Sequence, residues 1–135
     1  MLNRLSLALD DAQRLATAAV EIAKELGHPI SVAVVDATTY VQAVYRMDGA
    51  PLMSAQGAID KARSSAEGGH PTTFFEKPLN AGRFSMVKLP HTPIEGGVPV
   101  LAEGRCVGAV GVAGAPPQID SQIAERAIAA LFEGK

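Results

Sequence analysis

Tryptophan is absent from this chain, and two Tyr and four Phe hold its aromatics to 4% of 135 residues. That leaves few faces on which successive bases could stack. Basic residues are not in excess either: 12 Lys and Arg stand against 14 Asp and Glu, a net charge of −2. Binding to a phosphate backbone needs a basic surplus or stripe, so nucleic acid is excluded as a partner class. The one cysteine, Cys106, rules out an intrachain disulfide framework. No apolar run approaches the roughly 20 residues of a membrane span. Met1-Leu2-Asn3-Arg4 leads directly into a helical pattern with no signal-peptide core. The expectation is a cytoplasmic protein with no membrane partner.

What the chain has in quantity is small aliphatic side chains. Hydrophobic residues make up 47% and charged residues 19%, a balance that opposes disorder. The length suits one domain over residues 1–135. High alanine and glycine with low charge also point to surface buried between subunits, so a homo-oligomer is expected.

Apolar residues recur at Leu5, Ala8, Leu9, Ala12, Leu15, Ala16, Ala19, Ala23 and Leu26, the period of one helix face. Ser6 or Asp10 would cap this helix, Gly27 would end it in a left-handed turn, and Pro29 forbids continuation. Residues 30–36 and 40–46 read as a β-hairpin across Asp36-Ala37-Thr38-Thr39. A second helix is expected over 53–67, with Ala55, Ala58, Ile59, Ala62 and Ala66 inward, ended by Gly68-Gly69. Thr72 is placed to cap a short helix. Residues 79–99 lack periodicity, and a loop of that length in a compact domain tends to be functional. Pro99 confines the short strand 98–101 to a sheet edge. Residues 106–112 form an apolar strand in which Gly108 and Gly111 imply close approach by a helix, a ligand or another chain. A last helix spans 117–132, with Ile119, Ile123, Ala127, Ala130 and Leu131 inward. Two hairpins separated by helices make an antiparallel α+β architecture.

His28, His70 and His91 lack the spacing of a zinc site. His28 follows a helix end, where the dipole favours a cation. His70 and His91 lie in constrained loops, open to a structural role, to axial ligation of haem or to proton transfer. Cys106 reads as a small buried hydrophobe. The glycines from Gly104 to Gly114 match neither phosphate-loop pattern, whereas the amides of Gly96-Gly97 suit an anionic group. Arg46, Asp48, Lys61 and Arg63 read as a turn-fixing Arg46–Asp48 pair with solvated cations, or as a cationic rim for a carboxylate such as a haem propionate.

Several of these segments together resemble a known family. They are Val34-Val35-Asp36-Ala37, Tyr45 to Leu52, Ser54, Lys61-Ala62, Pro71-Thr72, Gly96 to Val100, Gly104, Val107 to Val112, Gly114, and Asp120 before Ile123-Ala124. This set resembles the GlcG/HbpS-like family, which includes the C-terminal domain of PduO-type proteins. The resemblance implies a profilin-like α/β/α sandwich, with a five-stranded antiparallel sheet flanked by helices, assembled as a dimer or larger oligomer. It also implies haem binding in some members, without a fixed ligand motif to carry onto this chain. Two segments depart from the family pattern. Thr38-Thr39 replaces a Gly-Gly turn, and since threonine disfavours positive φ a different turn shape is expected. Ala113 replaces a serine in Gly-Val-Ser-Gly.

Three functions compete at this level. The first is a small-molecule-binding protein that holds haem or a related anionic ligand in an oligomer cleft, using Arg46, Lys61, His70, His91, Gly96 and Gly97. The second is a cofactor-independent isomerase or hydrolase acting on an organic acid, with Asp36, Lys61, His70 and Glu95 transferring protons. The third is a structural accessory subunit.

Overall fold

The structure, a computed structural model, describes residues 1–132. Helix α1 (Leu9–Leu26) follows the predicted stripe and closes on Gly27 at φ 75°, the left-handed cap. Its start differs from expectation. Neither Ser6 nor Asp10 caps it; the Asp11 carboxylate accepts the Ala8 N–H at 2.9 Å. Ser6 Oγ instead accepts the Ala37 N–H at 3.0 Å, so Leu5 lies outside the helix and is exposed.

Strands β1 (Ser31–Asp36) and β2 (Val41–Arg46) form the predicted hairpin. Its turn corrects one expectation. Thr39 does take positive φ, 72°. Asp36 Oδ1 holds the turn by accepting from Thr38 N–H at 2.8 Å, Thr38 Oγ1 at 2.6 Å and Tyr40 N–H at 3.4 Å. A β-branched residue in that region costs roughly 1–2 kcal/mol, which these bonds offset.

Helix α2 (Ser54–Gly68) ends on left-handed Gly69 and is followed by α3 (Thr73–Asn80) and a 3-10 turn at Phe84–Lys88. Strands β3 (Gly97–Ala102) and β4 (Arg105–Ala113) and helix α4 (Pro117–Leu131) complete the order. Among the described residues the sheet has four strands in the order β2-β1-β4-β3, each pair antiparallel, not the five expected. The fifth strand is implied by the family resemblance alone; between α2 and β4 the chain forms helical turns at Thr73–Asn80 and Phe84–Lys88, which leaves Gly97–Ala102 as the strand before β4. Pro99 sits on the edge strand β3, where its missing N–H costs no ladder bond.

The side-chain alternation of β1 divides the layers. Val32 and Val34, with Val110 and Val112 of β4, face α1 and α4. Ala33, Val35, Ala109 and Ala113 face Ala58 and Ala62 of α2. Large residues on one side support two helices, and small ones on the other let α2 lie close. Gly111 marks the contact: a Cβ there would land on the Ala58 carbonyl and the Ala62 amide. The approach of a helix is therefore what Gly111 serves, whereas Gly108 makes room for the Val35 carbonyl and the Leu7 side chain.

Two inward faces are turned from their predicted setting. On α2 the buried stripe is Ser54, Ala58, Lys61, Ala62, Ser64 and Ser65, with Ala55, Ile59 and Ala66 only half-buried. On α4 it is Asp120, Ser121, Ile123, Ala124, Ala127 and Ile128, with Ala130 exposed. In both, a polar residue replaces an expected apolar one at the sheet end. Among the described residues no helix is long and apolar enough to cross a membrane.

Candidate functional site

Lys61 stands in the apolar stripe of α2, three residues after Ala58 and four before Ser65, and its side chain is only 7% exposed. A buried ammonium must find acceptors. Its Nζ donates to the Val112 carbonyl at 3.0 Å and to Asp120 Oδ2 at 3.1 Å. Asp120, in the first turn of α4 and 2% exposed, receives the Ala115 N–H on its other oxygen at 3.0 Å. Loss of water raises the Asp120 pKa above the ordinary carboxylate value. The Lys61 charge, the Ala115 N–H and the more distant His28 oppose this rise without cancelling it.

Gly96 and Gly97 wall this pair. A Cβ on Gly96 would come within 2.6 Å of the Val112 oxygen and 2.8 Å of Lys61 Nζ, and one on Gly97 would strike the Lys61 carbonyl. Thr72 and Gly97 exchange two bonds at 3.0 Å: Thr72 N–H to the Gly97 carbonyl, and Gly97 N–H to Thr72 Oγ1. Beside the pair lies a cavity of about 350 Å³, bordered by Ser54, Thr92, Ile94, Ala113 and Pro117 as well as by Lys61 and Asp120. Ser54 Oγ donates to the Pro51 carbonyl at 2.6 Å, and so accepts from Ser31 Oγ at 2.8 Å.

A second cavity, of about 510 Å³, opens between α2 and the segment 89–92, with Asp60, Arg63, Ser64, Glu67 and His91 on its walls. The four ring residues nearby form a ladder. His70 stacks on Phe74 at 4.0 Å, Phe74 meets Phe75 edge-on at 5.5 Å, and Phe75 stacks on His91 at 4.3 Å. Both ring nitrogens of His91 are buried and have no hydrogen-bond partner among the described residues. Among those residues, no three His, Cys, Asp or Glu side chains group as a cation site.

The comparisons with known proteins bear on this arrangement. The family described as "Haem degrading protein HbpS-like" matches residues 7–129. The chain belongs to the HbpS-like family. It is similar to the protein GlcG of Escherichia coli (strain K12), with 36% identity over 113 residues, 83% of this chain and 84% of that one. Its fold is similar to the crystal structure of a double mutant of Streptomyces reticuli HbpS. The TM-score is 0.89 at 35% identity, over 97% of this chain and 90% of that one. It is also similar to a PduOC:Heme complex, with a TM-score of 0.85 at 28% identity, over 95% of this chain and 96% of that one.

Within this HbpS-like fold the sequence-predicted site residues separate into groups. His70 and His91 lie at the two ends of the aromatic ladder. Gly96 and Gly97 are packed around Lys61, and the Gly97 amide is already bonded to Thr72, so they form no open anion cradle. Lys61 is no rim cation, because Asp120 and Val112 hold it inside. Arg46 is exposed beside Met47 and Asp48 on a different surface, and it makes no ion pair with Asp48. The cation that borders the His91 cavity is Arg63.

The quartet suggested for proton transfer does not gather. Asp36 pairs with Gly108, whereas Lys61 bonds Val112 four residues along β4. At 3.2–3.4 Å per residue that is about 13 Å along the sheet, beyond hydrogen-bond reach. Asp36 is occupied in its hairpin turn, and the Glu95 N–H is bonded to Glu76 Oε2 at 3.1 Å. Cys106 is half-buried, its thiol 3.3 Å from the Gly108 carbonyl.

Four contributors escape the sequence reading. Asp120 was visible only as part of a motif. Phe74 and Phe75 needed the fold to place them beside both histidines. Thr72 caps no helix with its side chain and ties β3 instead. Position alone could have exposed Lys61, since it falls on the helical stripe between Ala58 and Ser65.

Proposed function

We propose that this protein binds haem or a related planar anionic ligand at the His91 cavity. The observation that carries the reading is the His91 imidazole, with both nitrogens buried and unpartnered and its face against Phe75. An unbonded buried nitrogen is costly, and a metal centre would satisfy it. A porphyrin brings four nitrogen donors of its own and asks only an axial ligand of the chain. The residues present fit that demand: His91 supplies the lone pair, Phe75 a ring wall, and Arg63 a guanidinium for a propionate. Asp60 and Glu67 also stand on the cavity wall, so the carboxylates of the ligand would gather at the exposed Arg63 and away from those two side chains. The similarity to a PduOC:Heme complex supports the same reading. When bound, the group would supply its redox-active iron, while this chain binds, orients and partly shields it.

Assembly into a homo-oligomer belongs to this proposal. Leu52, Met53, Phe84 and Val87 are exposed apolar residues, more than isolated surface contacts would need. Titration of haemin into purified protein tests the binding: a Soret band should saturate at a fixed stoichiometry and be lost in His91→Ala. His70→Ala, at the far end of the ladder, separates a second ligand from a packing role. Featureless, non-saturating absorbance in the wild type would remove the proposal. Light scattering with and without haemin tests assembly, and a monomer in both states refutes it.

A further inference from the structure

The cavity beside Lys61 and Asp120 takes no part in the haem reading, and its chemistry is different. Its lining is mostly hydrocarbon from Pro51, Ile94, Ala113 and Pro117, and at about 350 Å³ it falls within the range of small-ligand sites. Two charged groups stand in that wall, the Lys61 ammonium and the Asp120 carboxylate. An ammonium carries three N–H donors, and among the described residues Lys61 uses them on Val112 and Asp120 only. The third remains for an acceptor in the cavity that Lys61 lines.

Charge around the cavity selects the acceptor. Asp120 and Lys61 cancel as a pair, and the Ala115 N–H further satisfies the carboxylate. The first turns of α2 and α4 both border the space, through Ser54 and Pro117, and neither has a side-chain cap bond. Their partial positive ends add to the ammonium. The field therefore favours a negative group, and the walls favour a short apolar body behind it. A buried ion pair adds little to stability compared with an apolar pair of the same shape, so a binding role gives the two charges a use that packing alone does not.

We infer that this cavity binds a small monocarboxylate with a short hydrocarbon body, its carboxylate accepting the remaining Lys61 N–H. The probe is butyrate, and its neutral counterpart is butyramide. Amide shifts of Gly57, Gly114 and Ala115 would be followed by NMR in the intact protein. Butyrate is expected to give saturable shifts, with butyramide weaker by about tenfold or more, the value of one charge-assisted hydrogen bond. The paired variant Lys61→Met/Asp120→Leu keeps the shape without the ammonium and should weaken butyrate by a similar factor. His91→Ala should bind butyrate unchanged, so loss of the haem reading leaves this one standing. Absence of saturable shifts, equal binding of butyramide, or equal binding by the paired variant would overturn it. The butyramide comparison needs no variant and decides the matter if the paired variant does not fold.

Discussion

Replacing Lys61 with methionine keeps the length of its apolar stem and removes its charge. Asp120, 2% exposed, would then hold a carboxylate with only the Ala115 N–H for a partner. Breaking a buried pair in this way costs about 3–5 kcal/mol. With a urea m-value of about 2 kcal/mol/M for a domain of this size, the midpoint should fall by about 1.5–2.5 M. Asp120→Leu should cost a comparable amount, because it strands the ammonium on the Val112 carbonyl alone. The paired variant should recover most of the loss, since an apolar pair of similar volume is often as stable as the buried ions it replaces. Urea unfolding followed by circular dichroism measures all four proteins of the cycle. A midpoint shift below about 0.5 M for Lys61→Met, near 1 kcal/mol at that m-value, would mean that the ammonium is solvated. A paired variant as unstable as the sum of the singles would mean that no coupling exists. Either result refutes the reasoning.

Gly111→Ala should destabilise by at least about 3 kcal/mol, the upper range for an overpacked core, because the added carbon meets backbone atoms of α2. A melting temperature within a degree of wild type would contradict that. Thr39→Gly should raise stability by roughly 0.5–1 kcal/mol, the relief of left-handed threonine less the entropy cost of glycine. An unchanged or lower urea midpoint would show that the turn is not strained. The pH dependence follows from Asp120. Because burial raises its folded pKa, between the ordinary carboxylate range and that raised value the native state holds a proton the unfolded chain has lost. Stability from this group is therefore full at low pH and declines as pH rises through that window. Thermal melts of wild type and Asp120→Asn should show the wild-type advantage shrinking upward from about pH 4; an advantage that grows instead would reverse the assigned shift.

The elements were legible where one rule governed them. The stripe of α1, the Gly27 cap, the β1–β2 hairpin and the edge placement of Pro99 each rest on local periodicity or on one residue's backbone chemistry. The errors arose where distant residues decide. Lys61 reads as a surface cation until Asp120, 59 residues away, is brought to it. Thr39 reads as unable to turn left until the Asp36 carboxylate is seen holding the turn. The expected fifth strand came only with the family resemblance; the chain's own segments offer four strands and a short helix after Thr72, which is what the fold contains. At the candidate site, both histidines were visible as residues, but their shared ladder through Phe74 and Phe75 was not. Aromatics are scarce in the composition, yet the fold gathers two of the four phenylalanines beside those histidines.

Gly111, Gly97 and Gly96 have no side chains, yet they determine where the Lys61 ammonium stands. Gly111 and Gly97 let main chain rest on the main chain of α2, and Gly96 lies against the Lys61 side chain and the Val112 carbonyl. A flexible four-carbon stem thus ends at a fixed point. Attempts to reshape this pocket by varying its visible lining would act on a position already set elsewhere. A methyl group added at one of those three glycines would displace the charge more than most exchanges along the pocket wall.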